Sequence, residues 1–246
     1  MTNKDWLYDK PVAHRGLWGE GIVENTMEAF IMAVENDFNI ELDVQLTKDN
    51  QLVVFHDDGL LRKVGIDKRL DEFTYDELQR VRFFESETAR IPLFTDVCNL
   101  CAGKVGIMIE IKKNPDNELN HEVEDVLLDI LQDYDDLDYV IKSFNPFCVD
   151  YVGRVAPHVR RGFLSSKKSL DEYKDYERPM VERLLYSEDK RVDFFDYKHT
   201  NIGSELFNSV YNTMPLFVWT VNDEERYEEL KGTVDNIIFE GFIPKV

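Results

Sequence analysis

The sequence predicts an α/β protein, a (β/α)8 or TIM barrel with a β-hairpin and an inserted segment after its second strand. Short runs of apolar, β-branched or aromatic residues alternate with longer helical patterns, and near-continuously apolar strands in such an alternation are typical of a parallel sheet. The chain has 246 residues, and eight strand–helix units in about 250 residues is the size of a closed barrel. An open doubly wound sheet is the alternative fold.

Eight segments have the composition of strands. They are Val12–His14, Ile40–Val44, Gly106–Ile111, Tyr139–Phe144, Arg161–Leu164, Val192–Asp196, Leu216–Thr220 and Asn236–Phe239. Helical patterns separate most of them, at residues 25–38, 119–134, 205–211 and 223–230. No linker rich in Pro, Gly or Ser divides the chain, so we predict a single domain over residues 1–246.

Two segments depart from the alternation. In residues 43–57 the turn at 48–50 is far too short for a parallel crossover, so its flanks should pair as an antiparallel hairpin. Residues 59–90 form a long insertion, in which Thr74 and Glu77 have the spacing of a capping box and should begin a short helix. An excursion after the second strand would lie at the end of the barrel where that strand exits, and in barrels this end carries the active site.

The charge balance limits the partners. The chain has 29 Lys and Arg against 49 Asp and Glu, a formal net charge of −20. This excess argues against a nucleic acid or an anionic membrane as the partner. No run approaches the ~20 apolar residues of a membrane span, and the first residues lack a basic head followed by an apolar run. We therefore expect a cytoplasmic protein with no stable membrane association, while its oligomeric state does not follow from the sequence.

Two of the five histidines lie at predicted strand ends. His14 ends the first strand and is followed by Arg15 and Gly16, a glycine that permits close approach of the backbone. His56 ends the returning arm of the hairpin, where the neighbouring Asp57 could orient it. A lone histidine at a strand end is more often structural, but these two have neighbours that favour chemistry.

Acidic side chains on two buried strands complete the pattern. Period-two alternation puts Glu41 and Asp43 on one face of the second strand. The same alternation puts Glu110 and Lys112 on one face of the next barrel strand. Buried acids are costly unless they are paired or bound to metal, so either Lys112 pairs with one of them or three carboxylates converge on a hard divalent cation, Mg²⁺ or Ca²⁺. A cation with Arg15 and Lys112 would neutralise a phosphate, and two histidines would move protons, so the constellation indicates phosphoryl chemistry.

Several motifs surround these residues. They are His14-Arg15-Gly16, Glu24-Asn25-Thr26, Ala29-Phe30, residues 40–62 (IELDVQLTKDNQLVVFHDDGLLR), Ile91-Pro92 and residues 109–112, with weaker agreement at 143–146, 219–222 and 235–238. Together they closely resemble the glycerophosphodiester phosphodiesterase family over essentially the whole chain. The resemblance implies a TIM barrel with an inserted segment over the active site. The sequence departs from the family pattern at 164–197 and 239–242, on the far rim, where the leaving group would be selected.

The resemblance implies a metal site and an acid/base pair. Glu41, Asp43 and Glu110 would hold one divalent cation. His14 and His56 would exchange protons with the attacking and leaving oxygens. Which histidine is the base, and whether the cation is Mg²⁺ or Ca²⁺, does not follow from the sequence.

The resemblance also implies a substrate and a reaction. Arg15 and Lys112 would hold phosphate oxygens, and Trp219 would line the substrate pocket. A small soluble glycerophosphodiester would be hydrolysed to glycerol 3-phosphate and an alcohol. The glycerol 2-hydroxyl would attack phosphorus, and water would then open the cyclic phosphate.

Two other functions compete with this one. A phosphodiester lyase of the phospholipase C or D type would stop at the cyclic phosphate and act on lipid, which the negative charge and the lack of an apolar membrane patch disfavour. A non-catalytic barrel that binds a phosphate ligand would not need to keep the histidines and the carboxylates together.

Overall fold

The computed structural model describes residues 5–112, 119–167, 170–187 and 192–245. Within these ranges eight parallel strands form a closed barrel, and one further strand, β3, lies outside it. The strands are β1 (Val12–His14), β2 (Asn39–Leu46), β3 (Leu52–Val54), β4 (Ile107–Ile111), β5 (Tyr139–Ser143), β6 (Arg161–Ser165), β7 (Phe194–Lys198), β8 (Leu216–Val221) and β9 (Asn236–Phe239). All eight predicted barrel strands are confirmed, and the open doubly wound sheet is wrong.

Helices alternate with the strands. They are α1 (Trp6–Asp9), α2 (Met27–Glu35), α3 (Leu61–Val64), α4 (Tyr75–Leu78), α5 (Phe94–Cys101), α6 (Glu122–Leu131), α7 (Pro146–Val155), α8 (Arg178–Tyr186), α9 (Glu205–Val210) and α10 (Glu224–Leu230), with 3₁₀ turns at Leu70–Glu72, Leu170–Glu172 and His199–Asn201. Side-chain oxygens of Thr26, Ser204 and Asp223 cap α2, α9 and α10, which satisfies backbone donors that the first helical turn leaves free. None of the helices in the described ranges combines the length and the apolar character that a membrane span needs.

Two predicted helices are shorter than expected. The pattern at 25–38 forms a helix only over Met27–Glu35. The pattern at 119–134 forms a helix only over Glu122–Leu131. Leu119 is 62% exposed and does not join a buried face. At the other end, the N–H groups of Gln132 and Asp133 donate to carbonyls three residues back, which tightens and ends the helix.

The chain divides into two compact units, and the first contains residues 13–112 and 122–138. In this unit β2 pairs in parallel with β4, with Asp43 opposite Glu110. It also pairs antiparallel with β3, with Val44 opposite Val54. The predicted hairpin is therefore confirmed, and its short turn places Asn50 at a φ of 58°, which asparagine tolerates better than most residues.

The predicted insertion also lies in the first unit. It contains α3 and α4, and the capping box between Thr74 and Glu77 that begins α4 is confirmed. The insertion has its own apolar core, in which Leu60, Leu70, Leu78 and Phe83 pack with residues of and near β3. This packing fixes α3, which immediately follows the buried Leu60.

The second unit contains residues 5–12, 119–121 and, with the gaps given above, 139–245. Its strands β5 to β9 pair in parallel with one another in chain order. Aromatic rings fill its core. The rings of Phe194 and Phe217 stack at 4.7 Å between centroids, and Gly162 leaves the space that the Phe194 ring occupies, since a Cβ there would come within 2.0 Å of it. An ion pair is buried among these strands, where Lys142 Nζ donates to Asp196 Oδ2 at 2.8 Å.

Candidate active site

Three buried carboxylates lie together in the first unit. Glu41 and Asp43 extend from β2 and Glu110 extends from β4, and none is more than 6% exposed. One carboxylate oxygen of each residue lies within 4.8 Å of the others. Parallel pairing aligns Asp43 with Glu110, and two-residue alternation puts Glu41 on the same face. The structure therefore brings together the three acids that the sequence singled out. We call them the acidic cluster.

Lys112 follows β4 and contacts two members of the acidic cluster. Its Nζ donates to Glu110 Oε1 at 2.8 Å and to Asp43 Oδ1 at 3.3 Å. Burial alone would lower the pKa of Lys112, but the neighbouring charges of Glu110 and Asp43 hold it above its usual value. Lys112 therefore stays charged and supplies one positive charge to a cluster that carries three negative charges.

Arg15 is held beside the acidic cluster by a strained loop. Its φ is 60°, an uncommon value for a residue with a side chain. The next residue, Gly16, has a φ of 81°, and a Cβ there would come within 2.8 Å of the Ala29 backbone. This close approach to α2 directs the Arg15 N–H at Glu41 Oε2, 3.3 Å away, and brings its guanidinium Nε to 3.6 Å from Asp43 Oδ2.

The donor set of the acidic cluster fits a hard divalent cation. Asp43 also accepts a hydrogen bond from Asn25 Nδ2 at 2.8 Å, and the amide oxygen of Asn25 is buried with no hydrogen-bond partner among the described residues. Burial alone would raise the pKa of Asp43, but Lys112, His56 and Arg15 keep it well below its usual range. Ionised carboxylate oxygens are the ligands that Mg²⁺ and Ca²⁺ prefer. The cluster can therefore hold such an ion.

The two histidines occupy different surroundings in this unit. His14 Nε2 lies 3.9 Å from Glu41 Oε2. His56 Nδ1 lies 2.6 Å from Asp57 Oδ1. Burial alone would raise the pKa of Asp57, but hydrogen bonds from Arg62 and His56 lower it. Because an ionised carboxylate can only accept, the proton of neutral His56 sits on Nδ1 and leaves Nε2 available for proton exchange.

Trp219 lies on β8, in the second unit. It is more than 100 residues further along the chain than Lys112. Its ring packs edge to face against Phe144 at 5.5 Å between centroids. The indole N–H is buried and has no hydrogen-bond partner among the described residues. A buried tryptophan N–H usually finds an acceptor, so this donor suits a residue that meets a ligand.

Two residues to which the sequence assigned no catalytic, metal-binding or substrate-binding role also join the site. Glu24 is buried and accepts from Arg15 Nη1 at 2.7 Å and from Arg62 Nη2 at 2.6 Å, with Lys63 Nζ at 3.2 Å. Burial alone would raise the pKa of Glu24, but the Arg62 hydrogen bond and the charges of Arg15 and Lys63 hold it at about 2. Both Glu24 and Arg62 stand within the motifs quoted above. Their residue types alone carried no signal, because each lies in a loop or at the start of a one-turn helix.

The closed parallel barrel and the cluster at its strand ends define an enzyme of the TIM-barrel class. Family comparison specifies which kind. The model of the glycerophosphoryl diester phosphodiesterase family matches residues 14–240, and the chain belongs to this family.

Individual relatives agree with this assignment. A glycerophosphodiester phosphodiesterase of Caldanaerobacter subterraneus subsp. tengcongensis is 31% identical over 236 residues, which cover 92% of each chain. A solved glycerophosphodiester phosphodiesterase of Thermotoga maritima is 27% identical, with a TM-score of 0.72 over 94% of each chain. A phosphodiesterase of Oleispira antarctica, solved in complex with the product sn-glycerol-3-phosphate, has a TM-score of 0.80 at 22% identity and covers 95% of this chain and 93% of its own. At 22% identity, the comparison with the Oleispira antarctica protein shows similarity of fold alone.

Proposed function

We propose that this protein hydrolyses a small soluble glycerophosphodiester to glycerol 3-phosphate and an alcohol, with one divalent cation, Mg²⁺ or Ca²⁺, held by Glu41, Asp43 and Glu110. The acidic cluster carries the proposal. Its three buried carboxylates meet the full positive charge of Lys112 and a share of that of Arg15, which also pairs with Glu24. A divalent cation would remove the remaining negative charge and would let a phosphate approach.

The bound cation would polarise the phosphate and stabilise the charge that develops on its oxygens. Arg15 and Lys112 hold the other phosphate oxygens, since both positively charged side chains lie at the acidic cluster. Fixed cations that are aimed at a developing charge act without reorganisation when the reaction occurs. Trp219 lines the substrate pocket and donates its indole N–H there.

The two histidines carry the protons. One takes the proton of the glycerol 2-hydroxyl as its oxygen bonds to phosphorus, and the bond from phosphorus to the alcohol oxygen breaks. The other gives a proton to that departing oxygen. In the second stage water attacks the cyclic phosphate, and the same two groups exchange protons in the reverse sense. The ring then opens to glycerol 3-phosphate.

Phosphorus NMR of the products tests the proposal. Glycerophosphocholine incubated with the protein and Mg²⁺ or Ca²⁺ should give glycerol 3-phosphate as the end product, with a cyclic phosphate that rises and decays. A cyclic phosphate that accumulates as the sole end product would replace the hydrolase with a lyase. Absence of any turnover over a panel of glycerophosphodiesters with each metal would favour a phosphate-binding barrel.

The proposal also covers the domain organisation of the protein, its location in the cell and its partners. We treat residues 1–246 as one domain with its insertion at about 59–90, and the family match over 14–240 supports this because it spans both compact units. A single cooperative unfolding transition is expected. We also propose a cytoplasmic location, and the net charge of −20 disfavours nucleic acid or an anionic membrane as the partner.

A further inference from the structure

Arg62 occupies an unusual position in the first unit. It lies in α3, at the start of the insertion, and its side chain is 47% exposed. An ordinary ion pair at such a site would contribute little to stability. Its guanidinium instead contacts two carboxylates, and each of these contacts a residue of the proposed reaction.

The first carboxylate is Asp57. Arg62 Nε donates to Asp57 Oδ2 at 2.5 Å, and Nη2 donates to Oδ1 at 3.0 Å. Both oxygens are thereby fixed, and Oδ1 is the oxygen that meets His56 Nδ1 at 2.6 Å. A bidentate contact fixes the plane of the carboxylate as well as its position. The ring of His56 is therefore oriented by an acid that Arg62 holds in place.

The second carboxylate is Glu24. Arg62 Nη2 donates to Glu24 Oε1 at 2.6 Å, and the same oxygen accepts from Arg15 Nη1 at 2.7 Å. Glu24 is only 6% exposed, so its negative charge needs these cations. The position of the Arg15 guanidinium thus depends on a carboxylate that Arg62 shares.

We propose that Arg62 is a positioning residue for the reaction, which orients His56 through Asp57 and Arg15 through Glu24. This inference rests on the proposed function, because it assumes that His56 and Arg15 act on the substrate. Only arginine can serve both carboxylates at once, since its planar fork presents five N–H donors whereas lysine carries a compact point charge. The insertion is thereby connected to the catalytic groups.

Three variants of the metal-loaded protein test the inference. Arg62→Ala should lower kcat about 10–100-fold, because small displacements of a catalytic group have effects of this size, and it should raise KM through Arg15. Arg62→Lys should recover only part of the loss. Arg69→Ala is the matched control, because Arg69 lies in the same insertion, is 38% exposed and pairs with Asp71 at 2.6 Å. It should leave both constants unchanged.

Two further readouts separate positioning from a purely structural role. Added guanidinium should restore part of the kcat of Arg62→Ala, and it should not affect Arg69→Ala. Nitrogen NMR of the His56 ring should show the proton on Nδ1 in the parent protein and a mixture of tautomers in Arg62→Ala. In an Asp57→Asn background, Arg62→Ala should lower kcat less than it does in the parent, because the shared contact is already lost.

Equal kinetics for Arg62→Ala and Arg69→Ala would overturn the inference. An unchanged His56 tautomer together with no guanidinium rescue would also overturn it, even if activity fell. The variant His56→Ala separates this failure from that of the proposed function. If His56→Ala is inactive while Arg62→Ala matches the control, only the inference fails, whereas full activity of His56→Ala would remove the role of His56 itself.

Discussion

Two lysines of this protein are paired with acids that extend from barrel strands, and they differ in what surrounds them. In the second unit, Lys142 meets Asp196 at 2.8 Å, and both side chains are at most 2% exposed. In the first unit, Lys112 meets Glu110 and Asp43, and a third carboxylate, Glu41, lies within the same cluster. The contact in the second unit joins one lysine to one aspartate, whereas three acids lie around Lys112, with Arg15 beside them, and leave a surplus of negative charge.

This difference separates an ion pair with a structural role from a cluster suited to chemistry. A buried ion pair contributes little beyond what apolar side chains of similar volume would contribute, but loss of one partner is costly. A surplus of buried negative charge is costly in itself, and a bound cation removes that cost. The first unit therefore carries the proposed chemistry. In the second unit, Asp196 shares β7 with Phe194, whose ring stacks on that of Phe217.

The largest expected effect concerns the histidines of the first unit. His14→Ala or His56→Ala should lower kcat by about 10²–10⁴, the usual contribution of a positioned acid or base. Folding should stay intact, because neither side chain belongs to an apolar core. Steady-state kinetics and circular dichroism measure the two quantities. Wild-type rates from either variant would remove that histidine from the acid/base pair.

The second effect contrasts the two lysine partners directly. Asp196→Asn should lower the free energy of unfolding by about 3–5 kcal/mol, because it removes the buried carboxylate that Lys142 contacts at 2.8 Å. Its affinity for the divalent cation should not change. Denaturant unfolding and calorimetric metal titration provide the two readouts.

Glu110→Gln is the counterpart in the first unit. It should weaken metal binding by at least about tenfold. Even the removal of a residue that only hydrogen-bonds to a metal ligand lowers metal affinity about 10–100-fold. The metal-free protein should lose less stability than Asp196→Asn does, since Lys112 keeps Asp43 as its partner. If Asp196→Asn were the variant that lost metal affinity, the contrast between the two lysines would be wrong.

The smallest effect is a pH dependence of stability in the first unit. The pKa of Glu24 is about 2 in the folded protein against an ordinary 4.5. A lowered pKa contributes stability above pH 4.5, and this contribution is lost as the pH falls towards 2, because the unfolded chain binds the proton first. Glu24→Gln should therefore be less stable at neutral pH, by about 1–3 kcal/mol, and should show a shallower decline between pH 4.5 and 2. Urea unfolding at a series of pH values measures both stabilities. If the parent protein and Glu24→Gln lost stability in parallel between pH 4.5 and 2, Glu24 would not be the source of this pH dependence.

Much of the first unit could be predicted from the sequence. Period-two alternation placed Glu41 and Asp43 on one face, and the parallel strand order brought Glu110 beside Asp43. These are consequences of strand geometry and need no knowledge of distant contacts. The hairpin followed from the length of its turn, and α4 followed from the capping box at Thr74.

The contacts of Arg62 and Glu24 could not be predicted in this way. They lie 38 residues apart, and their contact depends on how the insertion packs. Local periodicity does not specify that packing. The strained φ of Arg15 was also hidden, since arginine has no preference for that conformation and tertiary contacts of Gly16 with α2 impose it. Long-range packing thus supplied what local patterns could not.

Metal dependence tests the central claim most directly. The protein should be dialysed exhaustively against EDTA, freed of the chelator, and assayed on glycerophosphocholine before and after addition of Mg²⁺ or Ca²⁺. The surplus of negative charge at Glu41, Asp43 and Glu110 predicts that turnover disappears in the chelated protein and returns with at least one of the two cations. Turnover that survives exhaustive chelation would contradict the assignment of the acidic cluster as the metal site of a phosphodiesterase.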